Sequence, residues 1–323
     1  MLATRPAPLY HVNMKPTLFA VTLSLLMTAC ASAQTPTPGT PTTPASTSPA
    51  GGGASGGGTS GGADPAITLL DRLEARGAKL KTYQAHVTYT REQPLLGDQQ
   101  IRTGNLAYQS SQTDPTPTPA RFAVRFTKLV VNEALRDHPR NYIFDGTWLA
   151  EVDPENKQFI RRQVVAPPKP GQSDSAAPGS YDPLQLGQGP FPLPLGQKRE
   201  QVLAIFHAVL VDSAADDPAD TLHLKLTPRT DGKTGKPLSN FTTVNIWYDT
   251  TTLLPVKIIT EDDSQNMTTV KLADAKVDQL TAEQAAELFD TAPPATGGGW
   301  KVEIKPYAEE GVGGGRASRS VTP

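Results

Sequence analysis

The feature that most constrains this chain is an alternation of apolar and polar side chains, with a period of two, that begins at Tyr83 and returns in segment after segment to Asp274. Successive side chains of a strand point to opposite faces, so this period marks strands with one buried face. In the stretch Tyr83, Gln84, Ala85, His86, Val87, Thr88, Tyr89, Thr90 the two classes take turns. The same pattern recurs over 100–109, 121–131, 141–144, 147–152, 158–164, 221–227, 242–249, 255–261 and 268–274. Turn signals separate several of these segments, among them Asp145-Gly146 and Asp153-Pro154-Glu155-Asn156. Strands joined in this way form a meander, which is antiparallel.

Three helices interrupt the alternation. Asp64 followed by Pro65 is a helix start, and Ile67, Leu70, Leu73 and Leu80 follow at helical spacing, broken by Gly77. The spacing predicts a second helix over 198–211, with Val202, Ile205, Phe206 and Val209 on one side. Thr281-Ala282-Glu283-Gln284 is a capping box that opens a third, short helix to Phe289. A Pro- and Gly-rich insertion, 167–196, precedes the second helix, and 300–307 reads as a last strand. Helices that do not alternate with strands imply an α+β fold: a large antiparallel sheet with helices packed on one face, wide enough to curl, whose concave face either closes on its own side chains or leaves a hollow for an apolar ligand.

The ends of the chain have another character. Met14-Lys15, an apolar run from Leu18 to Met27 and small residues at 28–33 follow the grammar of an export signal. Leu26-Met27-Thr28-Ala29-Cys30 is similar to the lipobox of bacterial lipoproteins, with Met27 where Leu is usual, which makes Cys30 the lipidation site. A second reading cleaves after Ala33, at Ala31-Ser32-Ala33, and releases a soluble protein. Either way the destination is the bacterial cell envelope, in the periplasm, with a membrane anchor if Cys30 is lipidated. The expected organisation is a leader over 1–33, a disordered Thr/Pro/Gly/Ser tether over 34–63, a folded domain over 64–307 and a disordered tail over 308–323.

Charge and composition exclude several functions. Thirty basic residues against thirty-two acidic ones give no electrostatic footprint for nucleic acid. With one cysteine there is no intramolecular disulfide and no zinc site of several thiolates. Two matches to G-x-S-x-G, at 53–57 and 58–62, fall in the tether, where no strand and helix flank them to make a nucleophile elbow. The five histidines have no ligand spacing, and His86 and His223 are expected at solvated strand positions. Glu261-Asp262-Asp263 reads as an acidic turn, and Asp212, Asp216, Asp217 and Asp220 as a solvated loop. No metal, no cofactor and no enzymatic activity are expected.

Two segments carry a family likeness. Tyr142-Ile143-Phe144-Asp145-Gly146-Thr147-Trp148-Leu149-Ala150-Glu151-Val152-Asp153-Pro154 resembles the strand, DG turn and W-x-Y-x-P hairpin of LolA-like outer-membrane lipoprotein-sorting proteins. The segment from Ile246 to Lys257, with Asp249, Thr252, Leu254 and Pro255, is similar to that family's D-x-x-T-x-L-P hairpin. The likeness runs over about 65–280, and its motifs specify hairpins rather than a chemical site. It implies an α+β fold in which a large curved antiparallel sheet forms an unclosed half-barrel with helices packed on the concave face, and that hydrophobic face, covered by a helical lid, holds acyl chains of a lipid or lipoprotein. The tether and the 167–196 insertion depart from a freely diffusing carrier.

The candidate lining of that hollow is Tyr83, Val87, Tyr89, Phe122, Val124, Phe126, Phe144, Trp148, Val202, Phe206, Tyr248 and Ile258. Read from the residues, these side chains fit an ordinary core; read through the resemblance, they line a cavity. The function expected is acyl-chain binding in lipoprotein sorting, transport or envelope lipid handling, without catalysis. Its alternative is a tethered structural or signalling module whose hollow is filled by side chains and whose partner is an envelope protein.

Overall fold

The structure, a computed structural model, describes residues 64–111, 119–131, 133–167, 186, 191–295 and 298–307. The leader with Cys30, the tether, most of the insertion and the tail lie outside the described residues.

Helix α1, Pro65–Gly77, begins as its sequence dictates: the Asp64 carboxylate accepts from the Ala66 N–H at 2.9 Å, and Pro65 occupies the first turn, where no N–H is needed. It buries Ala66, Leu69 and Leu70, while Ile67 is only half-buried.

Among the described residues twelve strands make one sheet: β1 Thr82–Gln93, β2 Asp98–Gln109, β3 Arg121–Val131, β4 Ala134–Phe144, β5 Trp148–Asp153, β6 Gln158–Gln163, β7 Phe206–Val211, β8 Thr221–Pro228, β9 Phe241–Asp249, β10 Pro255–Asp262, β11 Met267–Val277 and β12 Lys301–Lys305. Their order is β12-β6-β5-β4-β3-β2-β1-β11-β10-β9-β8-β7. Two antiparallel meanders, β1 to β6 and β7 to β11, are thus joined at the centre by the pairing of β1 with β11. Strand β12 runs parallel to β6, which makes the sheet mixed. The end strands β12 and β7 do not pair with each other, so the sheet is unclosed.

The second helix is shorter than the pattern predicts. Helix α2 spans Arg199–Ile205, and the chain turns extended at Phe206, with φ −125° and ψ 153°. Residues 206–211 become β7 and pair with β8 from Phe206↔Pro228 to Val211↔His223. Phe206 and Val209 share a helical face, whereas Phe206, Ala208 and Leu210 share a strand face, so a run this short fits either period and the ladder to β8 decides it. Val202 and Phe206 remain buried, but on a helix and a strand.

Alternation divides the packing into two layers. The larger core joins Tyr83, Ala85, Val87, Tyr89, Leu106, Phe122, Val124, Phe126, Tyr142, Phe144 and Leu149 with α1 and α2. The intervening residues Ala107, Ala123, Ile143 and Ala150 face the other way and pack with Phe159, Ala285 and Phe289. Helix α3, Ala282–Leu288, therefore covers the opposite, outer face, while α1 and α2 cover the inner one. Its capping box forms as written: Thr281 Oγ1 accepts from the Gln284 N–H, and Gln284 Oε1 from the Thr281 N–H. No helix among the described residues is long and apolar enough to cross a membrane.

Candidate functional site

The hairpin motifs are local devices that fix how each strand enters the sheet. Asp145 Oδ1 accepts from the N–H groups of Thr147 and Trp148, and Gly146 at φ +100° lies so close to Pro119 that a Cβ there would overlap its ring. Asp249 Oδ1 accepts from the Thr251 and Thr252 N–H groups and the Thr252 hydroxyl. The Thr252 bonds, backbone first, and that from Thr251 outweigh a small desolvation effect and hold the Asp249 carboxyl below its usual range. Asp262 caps the acidic turn by accepting from Ser264 and Asn266, and no group of three or more metal-ligating side chains occurs among the described residues.

Of the twelve lining candidates, the structure gathers Tyr83, Val87, Tyr89, Phe122, Val124, Phe126, Phe144, Val202, Phe206, Tyr248 and Ile258 in the inner-face core. Trp148 is set apart. It alternates with the inner-facing Leu149, so it stands on the outer face, half-buried, with the Arg161 guanidinium 4.4 Å from its ring.

The inner floor is covered by the chain's own strap. Phe191-Pro192-Leu193-Pro194-Leu195, from the end of the Pro-rich insertion, is buried along its whole length, and Leu186 joins it. The Phe191 ring sits in an aromatic cup: its centroid is 5.1 Å from that of Tyr142, 5.7 Å from Tyr89, 5.9 Å from Phe126 and 6.5 Å from Phe122. Edge-on contacts dominate, the arrangement that aromatic quadrupoles favour. The strap adds no strand to the sheet. Between it, α1 and β8 to β10 remains a hollow of about 30 Å³ lined by Leu70, Leu73, Leu195, Leu224 and Ile246. That space holds no acyl chain while the strap is in place. Neither the strap's position nor its cup was legible in the sequence, where the motif Phe-Pro-Leu-Pro-Leu showed only as part of a loop.

Beyond the cup the inner face turns polar. Arg102 is cross-strand from Tyr89 and only 5% exposed. Asp153, also buried, accepts from Arg140 at 3.1 Å and from both the side chain and the backbone of Asn156. Burial pushes the Asp153 carboxyl up, but those hydrogen bonds and Arg140 outweigh it and the net shift is downward. Glu151 pairs with Arg162, and Glu155 lies 3.5 Å from His138. Burial pushes the Tyr142 phenol up to about 12.

On the outer face, His223 is not a solvated histidine. Its ring stacks on Trp247 at 4.2 Å, and its Nε2 is 3.0 Å from Asn245 Oδ1. Lys257 Nζ lies 4.4 Å from the centre of the Trp247 ring. Asp217 Oδ1 accepts from Trp247 Nε1 at 2.6 Å, while its Oδ2 accepts from the Ala214 N–H of its own loop at 3.0 Å. A shallower hollow of about 280 Å³ lies beside α3, with His86, Asn105, Arg125 and Lys276 at its walls.

No family model matches the sequence, and no curated protein does. Among solved structures, a LolA superfamily protein from Nitrosomonas europaea is 14% identical, over 68% of this chain and 96% of its own, with a TM-score of 0.31. A putative outer membrane lipoprotein-sorting protein domain from Vibrio parahaemolyticus is 12% identical, over 68% and 94%, with a TM-score of 0.30. LprF from Mycobacterium bovis is 12% identical, over 65% and 92%, with a TM-score of 0.32. In its two hairpin motifs and among its structural neighbours, the chain is similar to LolA-like lipoprotein-sorting proteins.

Proposed function

We propose that this is a cell-envelope protein that binds the acyl chains of a lipid or lipoprotein on the inner face of its half-barrel, in exchange for the strap at 191–195. The observation that carries this reading is the nature of the cover. A floor of Tyr89, Phe122, Phe126 and Tyr142 is closed by a segment in which two of five residues are prolines without an N–H. Lifting such a segment breaks no sheet ladder, and an acyl chain would restore the apolar contacts at about 25 cal/mol per Å² buried. The export leader and the tether support an envelope location, and the names of the structural neighbours agree with it. Binding, not catalysis, is the activity.

The filled hollow favours a second reading, in which the strap is permanent core and the domain is an interaction module. Native mass spectrometry of the chain purified from a bacterial host separates the two. Acyl species that co-purify and leave on organic extraction support exchange. A lipid-free mass that stays unchanged when fatty acid is titrated in supports the module.

A further inference from the structure

Among the described residues, Arg102 is a buried cation with no carboxylate paired to it. Its guanidinium Nη1 has one neighbour in hydrogen-bonding range, His138 Nδ1 at 3.4 Å, and no carboxylate pairs with it among the described residues. The carboxylates of this region are committed elsewhere: Asp153 to Arg140 and Asn156, Glu151 to Arg162, Glu155 to His138. Burial is the largest influence on Arg102 and works against its charge; Tyr142 and Tyr89 oppose that effect, Arg140 and Arg136 add to it, and Arg140 is itself paired with Asp153 at 3.1 Å. A buried guanidinium is costly unless an anion completes it.

Its position gives that cost a use. Arg102 is the cross-strand partner of Tyr89 and lies near Tyr142, the two rings that hold Phe191 edge-on. An amphiphile whose apolar part replaced Phe191 in the cup would bring its head to the same end of the inner face. A guanidinium offers two parallel N–H donors to a carboxylate or a phosphate.

We infer that Arg102 forms an anionic headgroup site at the end of the aromatic cup, so that the ligand is an amphiphile with a carboxylate or phosphate head. This rests on the acyl-binding reading above.

The test uses the full chain, freed of lipid, and competition against a neutral fluorescent apolar probe. Dodecanoate, 1-dodecanol and lauroyl lysophosphatidate share one tail and differ in the head. Dodecanoate is expected to compete about tenfold better than dodecanol. The Arg102→Gln variant should bring that ratio close to one, and Arg102→Lys, which keeps the charge but not the fork, should leave an intermediate ratio. A lysophosphatidate tighter than dodecanoate identifies a phospholipid head as the source of the anion; the reverse order identifies a free fatty acid. Should the glutamine variant fail to fold, carbon-13 spectra of carboxyl-labelled dodecanoate on the unmodified chain decide: a bound carboxyl that stays ionised at lower pH than the free acid supports the site. Equal competition by acid and alcohol, or a bound carboxyl that titrates no lower than the free one, overturns the headgroup site and leaves acyl binding standing. If none of the three amphiphiles competes, both readings fall.

Discussion

The rings of Phe191 and Tyr142 meet at 79°, centroids 5.1 Å apart, so that a residue of a Pro-rich loop is held by a tyrosine of β4. The contact joins the insertion to the inner face, and it makes the loop the occupant of the space in which a ligand is sought.

Removing that occupant has two expected effects. Phe191→Ala should destabilise the fold by about 3 kcal/mol, the usual cost of a large-to-small aromatic change in a core. It should also strengthen fatty-acid binding, because the competitor is gone. Urea unfolding and a dodecanoate titration of the same sample check both, and a loss of stability without tighter binding would argue for a permanent core.

The Asp249 turn carries a pH dependence of known sign. Its carboxyl is held below the usual value in the folded chain, so its contribution is present above the unfolded pKa of about 3.9 and disappears as pH falls through the folded value. Between about pH 5 and pH 2 the parent should lose more stability than Asp249→Ala, which lacks the group. Thermal unfolding of the two proteins across that range would show their curves converging on the acid side.

Trp247 is expected to matter through its nitrogen as well as its area. Trp247→Phe keeps a ring beneath Lys257 and against His223 but removes the donor to Asp217 Oδ1. The loss should lower the denaturation midpoint, as for a hydrogen bond to a charged group. Denaturation midpoints of the parent, Trp247→Phe, Asp217→Ala and the double variant form a cycle, in which the two single-variant losses should be clearly non-additive.

Gly146 is required by the turn that Asp145 builds. At φ +100°, with Pro119 against its α-carbon, an alanine is both strained and crowded. Gly146→Ala should cost about 2 kcal/mol, whereas Gly97→Ala, at φ +64° with open space around it, should cost less. Their unfolding free energies, compared side by side, check the order.

Much of this was written locally. Asp64 before Pro65, Thr281 three residues before Gln284, and Asp145, Asp153, Asp249 and Asp262 at their turns each meet their partners within four residues. Such contacts need no tertiary partner, so their pattern survives in the sequence. The alternation of β1 to β3 and of β8 to β11 was legible for the same reason: a period of two follows from strand geometry alone.

The sequence by itself therefore determined the strand segments, the caps, the turns and the apolar set from which the inner face is built. Tertiary structure decided what those residues face. It made 206–211 a strand by offering β8 as a partner, and it placed α3 and Trp148 on the outer face. It carried Phe191 into the aromatic cup and closed Arg102 into the inner face, where no carboxylate among the described residues pairs with it. Each of these outcomes depends on groups brought together across tens of residues, and their pairing is set by sheet register and packing rather than by any pattern along the chain.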